Sequence, residues 1–181
     1  ATDLFLKEAK DNYKDAPLAV RMRPKTLEEF AGQVHIIGRG KLLRRAIEAD
    51  RISSLILYGP AGTGKTTLAH IIAHKTQSRF ESINAVVSGV EDLRRTIEQA
   101  KFRKLNQGAC TIIFIDEIHR FNKAQQDVLM PGLEEGSFIL IGATVHNPFF
   151  YLTSPLLSRS LVVELKPLKK EDIMTILRRA I

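Results

Sequence analysis

The sequence has 181 residues, of which 44% are hydrophobic and 26% charged, the usage of one globular domain rather than of a disordered chain. Lys and Arg number 27 against 20 Asp and Glu, and the net charge of +7 fits either a polyanionic partner such as nucleic acid or simple solubility. No apolar run approaches the ~20 residues that span a bilayer, so we expect no membrane partner. The single cysteine, Cys110, cannot form an internal disulfide, which fits a reducing compartment.

The first fifty residues are expected to hold short helices separated by turns. Residues 1–16 form a polar segment that fits one short amphipathic helix. The run Thr26-Leu27-Glu28-Glu29 has the spacing of a capping box, which predicts a short helix ending near Gly32. A further helix is expected over Lys41–Asp50.

From residue 54 onwards, apolar strands alternate with helices. In chain order we expect the strand Ser54–Tyr58, helix Lys65–His74, strand Arg79–Ile83, helix Val90–Lys104, strand Cys110–Ile115, helix Asn122–Leu133, strand Phe138–Ala143, helical turn Pro155–Ser158, strand Leu161–Glu164 and helix Lys170–Ile181. A capping box at Ser88–Glu91 and an N-cap at Ser154 are the expected starts of two of these helices. Almost wholly apolar strands that alternate with helices predict an α/β fold with a five-stranded parallel sheet covered on both faces.

A phosphate-binding loop is the most specific motif. The run Gly59-Pro60-Ala61-Gly62-Thr63-Gly64-Lys65-Thr66 matches G-x-x-x-x-G-K-[ST] and lies between a predicted strand and a predicted helix. Its backbone N–H groups, together with Thr67 in the helix's first turn, would cradle the phosphates of ATP or ADP. Lys65 would reach the β- and γ-phosphates, and the Thr66 hydroxyl would hold Mg²⁺.

Polar residues at the ends of two buried strands are the expected partners of this loop. Asp116 would act on Mg²⁺ through its water shell, and Glu117 would polarise the attacking water. Thr144 either positions that water or is a plain strand-end threonine. Asn84 either caps a turn or hydrogen-bonds Glu117 and holds it away from water.

Two basic features are ambiguous from the residues alone. Lys101, Arg103 and Lys104 either track phosphates or form a solvated helix face. Arg159, at the end of a short helix, is uninformative without further context.

The order of these motifs resembles the AAA+ ATPases. The run Pro17-Leu18-Ala19, together with the segment Met22–Gln33, looks like the opening of clamp-loader-type AAA+ domains. The run Asp116–Asp127 (DEIHRFNKAQQD) is close to a signature of the replication-associated recombination protein A family, which includes the Werner-helicase-interacting ATPase. Gly142-Ala143-Thr144 and Asn147-Pro148 fit the same family.

The resemblance implies an architecture and further site residues. It implies the strand order 5-1-4-3-2, with a polar segment over 1–16, a nucleotide-binding domain over 17–167 and the start of a helical lid over 168–181. Arg159 would be an arginine finger serving ATP on a neighbouring subunit of a homo-oligomer, and Asn84 would restrain Glu117. The residues expected near adenine are Leu18, Arg21, Ile36 and Ile37.

One departure from the family concerns the sensor residue. Val145-His146 stand where Thr-Glu is expected, and Val145 has no hydrogen-bonding side chain. The sensor role therefore falls on Thr144 or Asn147.

The function that the resemblance implies is DNA-stimulated ATP hydrolysis at stalled replication forks or DNA ends. Expected partners are single-stranded or forked DNA and single-strand-binding or sliding-clamp proteins, in the bacterial nucleoid or in a eukaryotic nucleus. A protein-remodelling unfoldase is one alternative, but Ala85–Val90 lacks the aromatic residue of such proteins' pore loops. A non-catalytic nucleotide-binding scaffold is another, although Lys65, Thr66, Asp116 and Glu117 are all intact.

Overall fold

A computed structural model describes residues 17–180, so the helix expected within residues 1–16 lies outside the described residues. The α-helices are α1 Leu18–Arg21, α2 Val34–Ile37, α3 Leu42–Glu48, α4 Lys65–Lys75, α5 Val90–Gln107, α6 Lys123–Glu134, α7 Ser154–Ser158 and α8 Lys170–Ala180. Two short 3₁₀ helices cover Ile118–Arg120 and Pro148–Phe150. Between residues 17 and 180, no helix has both the length and the apolar character needed to cross a membrane.

Five parallel strands form one sheet. They are β1 Ser54–Tyr58, β2 Arg79–Asn84, β3 Thr111–Asp116, β4 Ile139–Thr144 and β5 Ser160–Glu164. Their spatial order is β2-β3-β4-β1-β5, and every neighbouring pair is parallel. This order is 5-1-4-3-2 when counted from the other edge, so the predicted fold and topology are confirmed.

The three central strands, β3, β4 and β1, are buried on both faces because their side chains alternate between two helix layers, whereas the outer strands β2 and β5 are partly exposed. Leu55 and Leu57 of β1 pack with the buried side of α4, whereas Ile56 between them faces α5 and α6. Gly142 of β4 leaves room on that second face, since a Cβ there would lie 2.7 Å from Ile118 Cδ1. Continuous apolar strands therefore reflect two cores, one on each side of the sheet.

The helix expected after Thr26 is a turn. Glu29 N–H does donate to Thr26 Oγ1 at 3.3 Å, but Glu29 Oε2 accepts from Lys25 N–H at 2.7 Å and no helix follows. The segment buries Leu27 and Phe30, which needs a single turn. Gly32, at φ 76°, then redirects the chain.

Two expected helix caps are displaced by one residue. Ser88 completes the turn after β2, since its N–H donates to the Asn84 carbonyl, and α5 is capped instead at Gly89, whose N–H donates to Asp92 Oδ2. Thr153 rather than Ser154 is the N-cap residue of α7, without a side-chain cap hydrogen bond, and its N–H donates to Gln126 Oε1 at 2.8 Å.

Candidate nucleotide-binding site

The phosphate-binding loop joins β1 to α4 and depends on glycine at two close approaches. A Cβ on Gly59 would lie 2.1 Å from the Leu165 carbonyl oxygen, and a Cβ on Gly64 would lie 2.7 Å from the Phe30 ring. Both residues also have positive φ, 147° and 97°, which favours glycine. The loop leads directly into α4 at Lys65, so the first free N–H groups of that helix face the loop.

The Lys65 ammonium is folded back onto its own loop. Nζ donates to the carbonyl oxygens of Gly59 at 2.7 Å and Pro60 at 2.9 Å. Burial lowers the pKa of Lys65, and the nearby carboxylates of Glu117 and Asp116 oppose that effect. The cation therefore lies between the loop and two acids, where a phosphate oxygen could replace the carbonyls as its partner.

The ends of β3 and β4 bring the predicted acids and the predicted hydroxyl together. Asp116 is the last residue of β3, and its Oδ1 accepts from the Glu117 N–H at 3.1 Å. Glu117 has a left-handed backbone, with φ 54°, and begins the 3₁₀ turn after the strand. Thr144 ends β4 and is 1% exposed. Parallel strands thus deliver these groups to the edge of the sheet that also carries the phosphate loop.

His119 joins this group, although the sequence analysis assigned it no role. Its Nδ1 lies 3.0 Å from Thr144 Oγ1 and 3.4 Å from Glu117 Oε2. Burial lowers the pKa of His119, with Glu117 opposing and His146 and Arg120 adding to the effect. The motif Asp116–Asp127 contains His119, but only the fold shows that β4 meets it.

The two candidate sensor residues differ in their surroundings. Asn147 is exposed, and its Oδ1 accepts from the Phe149 N–H at 3.1 Å as the cap of a 3₁₀ helix. Thr144 instead lies beside His119 in the cluster just described. Thr144 rather than Asn147 therefore lies beside His119 at the end of β4, and its role as the sensor stays a prediction.

Asn84 makes the turn contact rather than the contact with Glu117. It is the last residue of β2, in register with Asp116, and its Oδ1 accepts from the Val86 N–H at 2.8 Å. Of the two interpretations from the sequence, the structure contains the turn cap. A restraint of Glu117 by Asn84 stays a prediction that requires the Asn84 side chain to rotate.

A cavity of about 380 Å³ adjoins the phosphate loop. The opening segment supplies Met22, Arg23, Pro24, Phe30 and Ala31, the loop and α4 supply Gly62, Thr63, Gly64 and Thr67, and the C-terminal part supplies Leu168, Ile176 and Arg179. The four residues predicted near adenine do not line it. Ile37 is buried in the core, Ile36 packs against that core, and Leu18 is half exposed on α1 with Arg21 at its end.

Gln33 is a second residue that the sequence analysis missed. It is 6% exposed, and its Nε2 donates to the carbonyl oxygens of Thr63 at 3.3 Å and Lys166 at 2.6 Å. Its Oε1 accepts from the Lys166 N–H at 3.0 Å. One amide therefore ties the opening segment to the phosphate loop and to the segment between β5 and α8. No local sequence signal reports a contact across 133 positions.

Arg159 lies at the opposite edge of the sheet from the phosphate loop. It caps α7 immediately before β5, and Ser160 pairs with Ser54 at the start of β1. The loop follows the other end of β1, about 13 Å away at ~3.3 Å per strand residue. Arg159 Nη2 pairs with Glu134 Oε1 at 2.7 Å, and its Nη1 donates to the Pro155 carbonyl at 3.2 Å.

Comparison with known proteins identifies the class and then the family. Residues 55–168 match the model of the ATPase family associated with various cellular activities, the AAA family. Replication-associated recombination protein A of Coxiella burnetii is 53% identical over 165 residues, which cover 91% of this chain and 37% of that protein. The ATPase WRNIP1 of Dictyostelium discoideum is 45% identical over 166 residues, which cover 92% of this chain and 19% of that protein. The chain belongs to the AAA ATPases, in the family of replication-associated recombination protein A and WRNIP1, and the predicted resemblance is confirmed.

Structural comparison agrees with this assignment. A Thermotoga maritima structure described as the RuvB Holliday junction branch migration motor superposes with a TM-score of 0.69 at 33% identity, covering 87% of this chain and 53% of that one. The chain spans 37% of the length of the Coxiella relative.

The Gln33 contacts predict a stability effect. Gln33→Ala is expected to lower the free energy of unfolding by about 1–3 kcal/mol, because the Lys166 N–H and the Thr63 carbonyl lose a partner. Chemical denaturation measures this change. Gln77→Ala is the matched control, since Gln77 has nearly the same left-handed φ (51° against 55°) and an exposed side chain. Equal losses in the two variants would assign the effect to the backbone rather than to the side-chain bonds.

Proposed function

We propose that this chain is the ATP-hydrolysing unit of a protein that maintains DNA during replication and recombination. The observation that carries the proposal is the convergence of Lys65, Asp116, Glu117 and Thr144 at one sheet edge beside the phosphate loop. The names of the relatives support the DNA context, and so does the RuvB structure, which is described as a branch migration motor. The action would take place in the nucleoid or the nucleus, at stalled forks or DNA ends.

The donor set at the loop fits a magnesium nucleotide. The Thr66 hydroxyl and the Asp116 carboxylate are hard oxygen ligands, which Mg²⁺ prefers, with Asp116 acting through water. Mg²⁺, when bound, neutralises charge on the phosphates. Lys65 would exchange its loop carbonyls for phosphate oxygens, and the loop N–H groups would hold the remaining charge. Glu117 would accept a proton from the attacking water.

The proposed division into a nucleotide-binding unit and the start of a helical lid is supported by helix α8. Its exposed apolar residues are Ile173, Met174, Ile176 and Leu177. Such a face, on a helix that also lines the cavity beside the loop, supports residues 168–181 as the start of a helical lid over the nucleotide. Residues 17–167 would then form the nucleotide-binding unit.

Two substitutions separate binding from hydrolysis. Lys65→Ala is expected to weaken ATP binding at least about tenfold, because the main point charge on the β- and γ-phosphates is lost. Glu117→Gln is expected to bind ATP like the parent but to lose about 10²-fold or more in turnover, because the amide cannot accept the proton. Calorimetry and steady-state phosphate release on the intact protein measure these effects. Parental turnover in Glu117→Gln would refute the assignment of the base.

Arg159 is proposed as an arginine finger for a neighbouring subunit. Its distance from the phosphate loop of its own chain excludes a role there, so any contact with a γ-phosphate requires a second copy. Glu134 would hold the guanidinium on this edge until assembly. Such fingers contribute on the order of 10³–10⁵ in rate.

A mixing experiment tests this role. Arg159→Ala should bind ATP but hydrolyse it poorly, and Lys65→Ala should fail in its own pocket. Mixed oligomers join an intact Lys65 to an intact Arg159 at some interfaces, so turnover should partly recover. Glu134→Gln is the control, because it removes the same ion pair and leaves the guanidinium. No recovery under subunit exchange, or an equal loss in Glu134→Gln, would leave Arg159 a surface arginine.

The proposed DNA contact is the turn before α5. Val86 and Val87 are exposed there, and Gly89 precedes the free N–H groups of an 18-residue helix. The geometry disfavours the basic cluster further along α5, which consists of Lys101, Arg103 and Lys104. Its three cations are already engaged within the chain: Lys101 with Glu135, Arg103 with Glu81, and Lys104 with the Gly136 carbonyl.

An added negative charge on each surface distinguishes the turn before α5 from the basic cluster. Ser88→Glu is expected to weaken binding of a single-stranded oligonucleotide or a forked duplex and to reduce DNA-stimulated ATP hydrolysis, because like charges repel. Lys101→Glu, on the same helix, should change both less. Fluorescence anisotropy at several salt concentrations measures affinity and its salt dependence. Salt-independent binding would contradict a phosphate contact. A larger loss of affinity in Lys101→Glu than in Ser88→Glu would assign the DNA contact to the basic cluster. Addition of single-strand-binding or sliding-clamp protein tests those partners in the same assay.

A further inference from the structure

The imidazole of His119 connects the two strand ends that carry the reaction. It lies on the 3₁₀ turn after β3, and its Nδ1 is within 3.4 Å of Glu117 Oε2 and 3.0 Å of Thr144 Oγ1. Within residues 17–180, no hydrogen bond links the Glu117 carboxylate directly to β4, and the His119 ring is the group that contacts both. His119 is therefore placed to fix the carboxylate relative to the Thr144 hydroxyl.

The partners of Nδ1 determine which tautomer is compatible with the site. Burial lowers the pKa of His119, which favours the neutral ring with one N–H. If Nδ1 were the unprotonated nitrogen, its lone pair would face the Glu117 carboxylate at 3.4 Å, an unfavourable contact. With hydrogen on Nδ1, the ring donates to Thr144 Oγ1 and is attracted to Glu117 Oε2. The second arrangement satisfies all three groups.

This tautomer leaves the Thr144 hydroxyl hydrogen available. Thr144 Oγ1 also accepts from the His146 N–H at 3.0 Å, so both of its lone pairs have donors. Its own hydrogen has one longer partner, the His146 carbonyl at 3.4 Å. It can turn instead toward a water or a phosphate oxygen at the sheet edge.

The ring itself is held by two aromatic neighbours. The His119 ring meets His146 edge-on at 4.5 Å and Tyr151 edge-on at 5.6 Å, and its side chain is 9% exposed. Packing of this kind restricts the imidazole to one orientation. The departure at Val145-His146 thus supplies one of the side chains that hold His119.

We propose that His119 is a positioning residue for ATP hydrolysis, whose Nδ1–H orients the Glu117 carboxylate and the Thr144 hydroxyl toward the attacking water. The inference rests on the proposed function, because His119 acts only through Glu117 and Thr144, whose roles in ATP hydrolysis are themselves proposed. A misplacement of about 1 Å in a reacting group can cost ~10²-fold in rate, so loss of this contact is expected to lower kcat by about 10- to 100-fold.

Side-chain exchange at position 119 isolates the hydrogen bond. His119→Phe keeps a ring between His146 and Tyr151 but has no donor. His119→Asn places an amide nitrogen near the Nδ1 position, whereas His119→Gln moves it one atom further away. In the intact protein we expect kcat to fall in the Phe and Gln variants and to recover in the Asn variant, with ATP affinity like the parent's. His70→Phe is the control. The His70 ring packs against the Phe80 ring, with 4.1 Å between their centroids, and lies away from the His119 cluster.

The outcomes distinguish this inference from the function on which it rests. Parental kcat in His119→Phe, or equal losses in the Asn and Gln variants, would overturn the positioning role even if Glu117→Gln is inactive. If His119→Phe does not fold, the comparison of Asn with Gln decides alone. In a Glu117→Gln background, His119→Phe should cause a smaller further loss in single-turnover rate than it causes in the parent, because the carboxylate is gone and only the Thr144 hydroxyl is left to orient. A full additional loss there would show that His119 acts by another route. Parental turnover in Glu117→Gln would instead refute the assignment of the base.

Discussion

Backbone hydrogen bonds continue the sheet beyond the ends of its strands, and they fix the start of the phosphate-binding loop. The Gly59 N–H donates to the Thr144 carbonyl at 3.1 Å, and the Leu165 N–H donates to the Tyr58 carbonyl at 2.8 Å. The Gly59 backbone consequently lies so close to Leu165 that no side chain fits between them. Because of these contacts, the phosphate-binding loop, the end of β4 and the segment leading to α8 are fixed relative to one another. A movement of any of them would change the distance between the phosphate-binding loop and the Thr144 hydroxyl.

The electrostatics of the site follow from the same arrangement. The carbonyl oxygens of Gly59 and Pro60 hold the Lys65 cation, and the carboxylates of Asp116 and Glu117 oppose the effect of its burial. Two acids at a strand end need positive charge nearby, and an isolated buried cation is costly. The three groups stabilise one another without a ligand, so the site can persist while it exchanges nucleotides. Burial lowers the pKa of His119, which favours a neutral ring over a second cation in this balance.

Local chemistry accounts for what could be predicted from the sequence. The run from Gly59 to Thr66 needs only its own backbone to form a loop, and five apolar strands alternating with helices allow few arrangements other than a parallel sheet. Contacts between distant segments were not predictable. Gln33 reaches Lys166, and His119 reaches Thr144, through tertiary packing that no local pattern encodes. Thr26 misled for a related reason, because a capping signal cannot report that burying Leu27 and Phe30 requires only a turn.

The two edges of the sheet divide the proposed work between subunits. The groups proposed to contact phosphate lie at the carboxyl ends of the strands, whereas Arg159 lies before the amino end of β5. A single copy cannot bring both edges to one nucleotide, since the length of β1 separates them and both faces of that strand are packed. A ring or filament of copies joins unlike edges at every interface, which is the heterologous contact that such assemblies require. Hydrolysis that needs both edges would therefore occur only in the assembled oligomer. The exposed Glu134–Arg159 pair has a small attraction in water, so a stronger anion at the interface would replace Glu134 as the partner of Arg159.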